Sequence, residues 1–364
     1  MPADEMDFGG ILARRGITRR QLVKFCSTML ATLALPDRYL PATVSAVSKA
    51  KKQVLVWLEF QDCAGCTESM LRSSNPDIAD IVLDLFSWEY HETIMAGSGA
   101  AATAALDRVV KEEKGKYLVV VEGGIPTADD GVYCTIGGRT ALEIAKNVCG
   151  NAAATIAVGA CAADGGFMRA HPNPTGSLGV EEAVPGIRLI NMNGCAHNPV
   201  NTAAVLVHYL TFNDLPAVDQ HNRPLFAYGR VIHDQCERRA HYDAGRFVTE
   251  WGDEGHRKGY CLYKMGCKGP AATFNCPTAQ WNDHTSWPIR AGHGCIACAS
   301  PRFWDHMSPF YERLPSVPGF GVEVTAGELG LGLTAAVLAG VTAHGLITMI
   351  RPAPKYPEKS EKEV

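Results

Sequence analysis

Thirteen cysteines in 364 residues constrain this chain more than any other feature, because six of them, Cys236, Cys261, Cys267, Cys276, Cys295 and Cys298, fall within 63 residues. Such density needs a chemical reason. An odd total and C-x-x-C pairs argue for metal ligation over disulfides, although an exported chain could carry either. At 46% hydrophobic residues the chain can bury a sizeable core, with length for about two domains. A net charge of -4 lacks the basic surplus that phosphate backbones demand, so nucleic acid is excluded as a partner.

From Gln53 to about Leu210, apolar β-branched runs alternate with Ala-rich stretches, the pattern of a parallel sheet covered on both faces. Strands are expected at Val54 to Phe60, Ile81 to Phe86, Tyr117 to Val121, Thr155 to Gly159 and Arg188 to Met192. Cys63 and Cys66 follow the first, Cys161 the fourth and Cys195 the fifth, so one sheet edge presents four thiols. Ligands gather at the carboxyl ends of such strands. In a flavodoxin-like domain the first loop would cradle phosphate; here its cysteines, with Cys161 and Cys195, offer four-cysteine ligation of a cluster. Structural zinc prefers two local knuckles to loops spread this widely. Gly97-Ser98-Gly99 with Ala102 is a weak dinucleotide fingerprint, since no expected strand leads into it.

From about Thr211 to Pro318 periodicity fades, and metal ligation is expected to supply stability that long apolar runs do not. Two ligand groups stand out. His233 with Cys236, Cys261 and Cys267 completes fourfold ligation, whereas Cys276, Cys295 and Cys298 offer three thiols. Three suit a cuboidal cluster lacking one iron, unless Asp283 or water fills a fourth place.

The ends read as addresses. Arg19-Arg20 precede the apolar stretch Phe25 to Leu35 and Val44-Ser45-Ala46, resembling a twin-arginine signal with cleavage after Ala46 and Cys26 removed with it. Leu329 to Ile350 is a 22-residue apolar run, about 33 Å as a helix, long enough to span a bilayer. Arg351, Lys355, Lys359 and Lys362 follow it, so the tail is expected in the cytoplasm and the body on the periplasmic side. His344 within the span points to a membrane partner, as a helix contact or as a group near that partner's cofactor.

The motifs QDCAGCTES, VEGGIP, GACAADGG, HPNPTG, RVIHDQCERRAHYDAGRF, KGYCLYKMGCKGP and GHGCIACASPRFWD resemble the small subunits of membrane-bound nickel-iron uptake hydrogenases, from about Lys52 to Phe310. The resemblance implies a flavodoxin-like domain at 47–210, a largely irregular iron-sulfur domain at 211–320 and a membrane anchor at 321–364, after a signal at 1–46. It implies two 4Fe-4S clusters and one 3Fe-4S cluster: proximal on Cys63, Cys66, Cys161 and Cys195; medial on Cys276, Cys295 and Cys298, with Pro288 at the vacant ligand position; distal on His233, Cys236, Cys261 and Cys267. Cys134 and Cys149 read as buried hydrophobes. Oxygen-tolerant relatives carry extra cysteines where this chain has Gly65 and Gly166, so an ordinary proximal cubane is implied.

The implied activity is reversible splitting of dihydrogen by a nickel-iron large subunit, in a heterodimer or a dimer of heterodimers. Its electrons pass through this chain to a membrane cytochrome b or a quinone-linked acceptor. No catalytic residue is expected here; Glu68 reads as a helix N-terminal carboxylate. The competing readings are the cluster-bearing small subunit of a quinone oxidoreductase and an exported binding protein stabilised by disulfides or zinc.

Overall fold

In the computed structural model, the described residues are 18–49, 52–72, 86–282, 284–314 and 326–350. Five parallel strands form the central sheet: β1 (Gln53–Glu59), β2 (Phe86–His91), β3 (Leu118–Glu122), β4 (Ala154–Val158) and β5 (Leu189–Met192), in the order β2-β1-β3-β4-β5. This is the doubly wound order of flavodoxin-type folds, with a ligand crevice where the order reverses between β1 and β3. Residues of β3 and β4 are buried throughout, so these strands are apolar without alternation, as helices on both faces require.

Helix α3 (Gly65–Leu71) follows β1, α4 (Ala100–Glu112) follows β2, α5 (Ala141–Gly150) precedes β4, α6 (Gly159–Asp164) follows it, and α7 (Pro199–Phe212) follows β5. Two apolar clusters result. Leu55, Trp57, Leu118, Val120 and Ile156 face α7, while Val56, Leu58, Val119, Val121 and Ala157 pack with Leu106, Val109, Ile144 and Val148.

Four expected strands fall within a residue of their observed bounds. The second does not: it runs over Phe86–His91, and of the expected range only Phe86 belongs to it, residues 81–85 lying outside the described ones. At the sheet's edge, Phe86, Trp88 and Tyr90 alternate with polar neighbours, a weaker apolar signal than the run before them.

The N-terminal segment is folded onto the body. Helix α1 (Arg19–Thr32) opens on a capping box between Thr18 and Gln21 and buries Phe25, Cys26, Met29 and Leu30. With α2 (Leu40–Lys49), which spans the expected cleavage point after Ala46, it packs against α7. Beyond Phe212 the chain is mostly turns and short helices, yet a core exists, around Tyr228, Ile232, Val248, Leu262, Phe274, Trp287 and Ile289. Cys276 and Cys295 belong to it, so candidate ligand thiols and apolar packing share one interior. Helix α8 (Ala326–Ile350) carries a span apolar enough to cross a membrane at Gly330–Ile350, and its large apolar side chains, including Leu331, Val337 and Ile347, are exposed.

Candidate metal centres

The crevice between β1 and β3 is where the first four thiols converge. Cys66 lies in the first turn of α3, and burial pushes its thiol well up, the charges of Glu122, Cys161 and Cys195 adding to the effect. Burial pushes Cys161 up to about 12, with Cys195 and Cys63 as charged neighbours; Cys195, although exposed as a residue, is raised to about 11 by the protein packed around its thiol. Glu122, ending β3, is 2% exposed and closes the first turn of α3. It accepts the Cys66 N–H at 2.8 Å, the Thr67 N–H at 2.9 Å and the Thr67 hydroxyl at 2.7 Å. Donors left over at a helix start are thereby satisfied, and the Cys66 backbone is held in place. His197, fully buried, bonds the Cys66 carbonyl at 3.0 Å and the Thr202 hydroxyl at 2.6 Å, with burial lowering its pKa to about 4.

Glu122 stands in a group of acids, two buried and one half-buried, that the sequence pattern did not bring out. Carboxylate oxygens of Glu59, Asp62 and Glu122 lie within 4.8 Å of one another. Burial pushes Asp62 up to about 6, helped by Glu122, and Glu92 up to about 8. The available signal was a lone carboxylate terminating an otherwise apolar central strand. Glu68, by contrast, is exposed and pairs with Arg72 at 3.5 Å, as a helix-end carboxylate would.

The second group lines one small cavity whose walls include His233, Cys236, Cys261 and Cys267. The His233 ring meets Tyr242 edge-on at 4.6 Å, and the Arg238 N–H donates to Cys236 Sγ at 3.4 Å. Burial pushes Cys261 up to about 12, with Cys267 and Cys236 acting as neighbouring charges.

The third group is Cys276, at the start of a helical turn, with Cys295 and Cys298, all three thiols raised chiefly by burial. The Ala297 N–H donates to Cys295 Sγ at 3.3 Å. Pro288 sits between buried Trp287 and Ile289 of the same core, and Asp283 lies outside the described residues.

The three sets adjoin in a fixed order. Cys298 is a charged neighbour of Cys195, and the Cys295 N–H donates to Cys267 Sγ at 3.3 Å. The Cys276 set thus abuts the Cys63 set on one side and the His233 set on the other.

All thirteen thiols are free, which removes the disulfide reading. The donor sets fit iron-sulfur centres: the buried thiols among them, such as Cys66, Cys276 and Cys295, lose their desolvation penalty beside a cationic metal core, and N–H groups aimed at sulfur are a recognised influence on cluster potentials. Cys149, buried beneath α5, and Cys26, buried under α1, stand apart as small apolar side chains, and Cys134 packs at the margin of the same core as Cys149. A Cβ at Gly65 would lie 3.1 Å from Cys63 Sγ; one at Gly166, whose φ is +61°, would lie 2.4 Å from Cys161 Sγ. Gly166→Ala is therefore expected to lower iron occupancy of the first site selectively, through backbone strain of about 1–3 kcal/mol and collision with a ligand. Iron analysis with low-temperature paramagnetic resonance of the assembled complex checks this; an unchanged proximal signal would refute it.

Comparison with known proteins agrees with this architecture. Residues 228–311 match the family described as the C-terminal part of the NiFe/NiFeSe hydrogenase small subunit, and residues 63–209 match the NADH ubiquinone oxidoreductase 20 Kd subunit family. The quinone-reactive Ni/Fe-hydrogenase small chain of Wolinella succinogenes is 43% identical over 348 residues, covering 93% of this chain and 98% of that one. A periplasmic [NiFe] hydrogenase small subunit of Nitratidesulfovibrio vulgaris is 44% identical over 303 residues, covering 83% and 95%. The Ni-Fe-Se hydrogenase structure from Desulfomicrobium baculatum superposes with a TM-score of 0.68 at 33% identity, over 72% of this chain and 100% of that chain. The match to the oxidoreductase family stops at residue 209, whereas the hydrogenase relatives continue through the later ligand sets, which sets aside the quinone-oxidoreductase reading. The chain therefore belongs to the small subunits of the nickel-iron hydrogenases, electron-transferring iron-sulfur chains that work paired with a large subunit.

Proposed function

We propose that this chain carries electrons from dihydrogen oxidation through three clusters: a proximal 4Fe-4S on Cys63, Cys66, Cys161 and Cys195, a medial 3Fe-4S on Cys276, Cys295 and Cys298, and a distal 4Fe-4S on His233, Cys236, Cys261 and Cys267. The observation that supports the reading is the pair of junctions, Cys195 beside Cys298 and the Cys295 N–H on Cys267 Sγ, by which the Cys276 set adjoins both of the others. Sheet-edge thiols Cys63 and Cys195 are exposed, as a face turned to the large subunit would be. At the other end a neutral imidazole in place of one thiolate removes a negative charge and favours the reduced form of the last centre.

Anchoring by the span at Gly330–Ile350 and export by the Arg19-Arg20 segment place the body on the periplasmic side, with His344 toward a membrane partner. The acceptor is then a membrane cytochrome b or quinone-linked subunit, a reading supported by the Wolinella relative's description as quinone-reactive. The corresponding domains are a signal at 1–46, a proximal-cluster domain at 47–210, a medial and distal domain at 211–320 and an anchor at 321–364.

Iron and sulfide analysis of the purified complex, corrected for the large subunit's metals, is expected to give about eleven irons in this chain, with an oxidised three-iron resonance. A total near eight or twelve, or no three-iron resonance, would refute the assignment.

A further inference from the structure

Lys268 is 2% exposed and sits between two of the three ligand sets. Its own N–H donates to the Cys295 carbonyl at 2.7 Å, its chain neighbour Cys267 accepts the Cys295 N–H, and the Cβ expected at Gly269 would lie 3.5 Å from Cys267 Sγ and 3.9 Å from Cys295 Cβ. The side chain reaches away to a carbonyl cradle: Nζ donates to Pro309 O at 2.8 Å, Glu312 O at 2.9 Å and Gly266 O at 3.5 Å. Three acceptors match the three donors of an ammonium, whereas a neutral amine would turn its lone pair on one of them.

Carbonyls satisfy the hydrogens and leave the charge uncancelled. A buried cation needs an anion nearby. The groups that would supply it are the candidate thiolates of Cys267, its chain neighbour, and of Cys295, whose carbonyl accepts the Lys268 N–H, one from each ligand set. No carboxylate lies within ion-pair distance of this ammonium among the ion pairs of the described residues.

Resting on the ligand assignment above, we propose that Lys268 is a positioning residue for electron transfer, its fixed ammonium biasing both the medial and the distal site toward their reduced, more negative states. Each site gains one electron from its neighbour on the large-subunit side and passes one on; Lys268 exchanges neither proton nor bond. Every added electron is one more negative charge within reach of the same cation, so both reductions become more favourable together.

The test uses the purified holo-complex carrying Lys268→Met or Lys268→Arg, with potentiometric titration followed by paramagnetic resonance and with iron counted in parallel. Lys268→Met is expected to make one-electron reduction of both centres about tenfold less favourable, a downward shift of about 59 mV each, at full iron content. Lys268→Arg, which keeps the charge, is expected to restore most of it. Unmoved potentials at full iron content would overturn the proposal, as would an equal shift in both variants. Iron loss in Lys268→Met would overturn it too, by making the side chain a tie to residues 309–312. Absence of the medial and distal signals from the unaltered complex would instead defeat the ligand assignment.

Discussion

Replacing Cys66 by alanine is expected to cut hydrogen-driven dye reduction by roughly 100-fold or more, above the 10–100-fold that loss of an outer-shell partner costs a metal site. Cys66 is the most enclosed of the four sheet-edge ligands, held by Glu122 and His197 through its backbone and in electrostatic reach of Cys161 and Cys195. The backbone anchors survive substitution by alanine, so α3 keeps its place and only the thiol is lost. Hydrogen splitting belongs to the large subunit, so exchange between deuterium gas and solvent protons should persist. A fall in the two activities by the same factor, or dye reduction within about twofold of normal at reduced iron, would contradict a proximal role. The medial three-iron resonance serves as the control that the second domain has folded.

His233→Gly tests the opposite end. Glycine removes the imidazole from the cavity shared with Cys236, Cys261 and Cys267 and takes away the edge-on contact with Tyr242. Delivery to external acceptors is expected to fall roughly 10–100-fold, in the range of a disturbed metal shell, while gas-solvent exchange changes little. Added imidazole, small enough for the space vacated, should recover part of the rate. Equal loss of both activities in a cluster-complete variant would remove His233 from the exit. Together the two substitutions bracket the relay: each should leave the large subunit's chemistry in place and interrupt transport at a different end.

Much of this was legible beforehand. Strands β1, β3, β4 and β5 announce themselves as short apolar runs because both sheet faces are covered, and burial leaves no polar alternation to confuse them. Edge strand β2 was misplaced for the converse reason. Six of the eleven candidate ligands stood out by spacing, Cys161 and Cys195 at strand ends and Cys63, Cys66, Cys295 and Cys298 in C-x-x-C pairs, whereas His233, Cys236, Cys261, Cys267 and Cys276 stood out by their crowding along the chain. The N-terminal helices were read only as an address; their buried face of Phe25, Cys26, Met29 and Leu30 is a packing fact, visible once α7 is there to meet it.

What the residues by themselves determined is local: the candidate donor types and their crowding along the chain, the sheet's apolar runs and the apolar span near the end. Tertiary structure alone decided which groups are neighbours. Cys195 comes within electrostatic reach of Cys298, Glu122 reaches the Cys66 N–H, and Lys268 lies between two candidate ligand sets while its tip is caught by residues 309 and 312. Spacing along the chain encodes turns of a helix or the pleat of a strand, repeats a few residues long. Contacts between residues dozens to a hundred positions apart depend instead on how the buried faces of whole elements fill one another, and that is settled only when the chain packs.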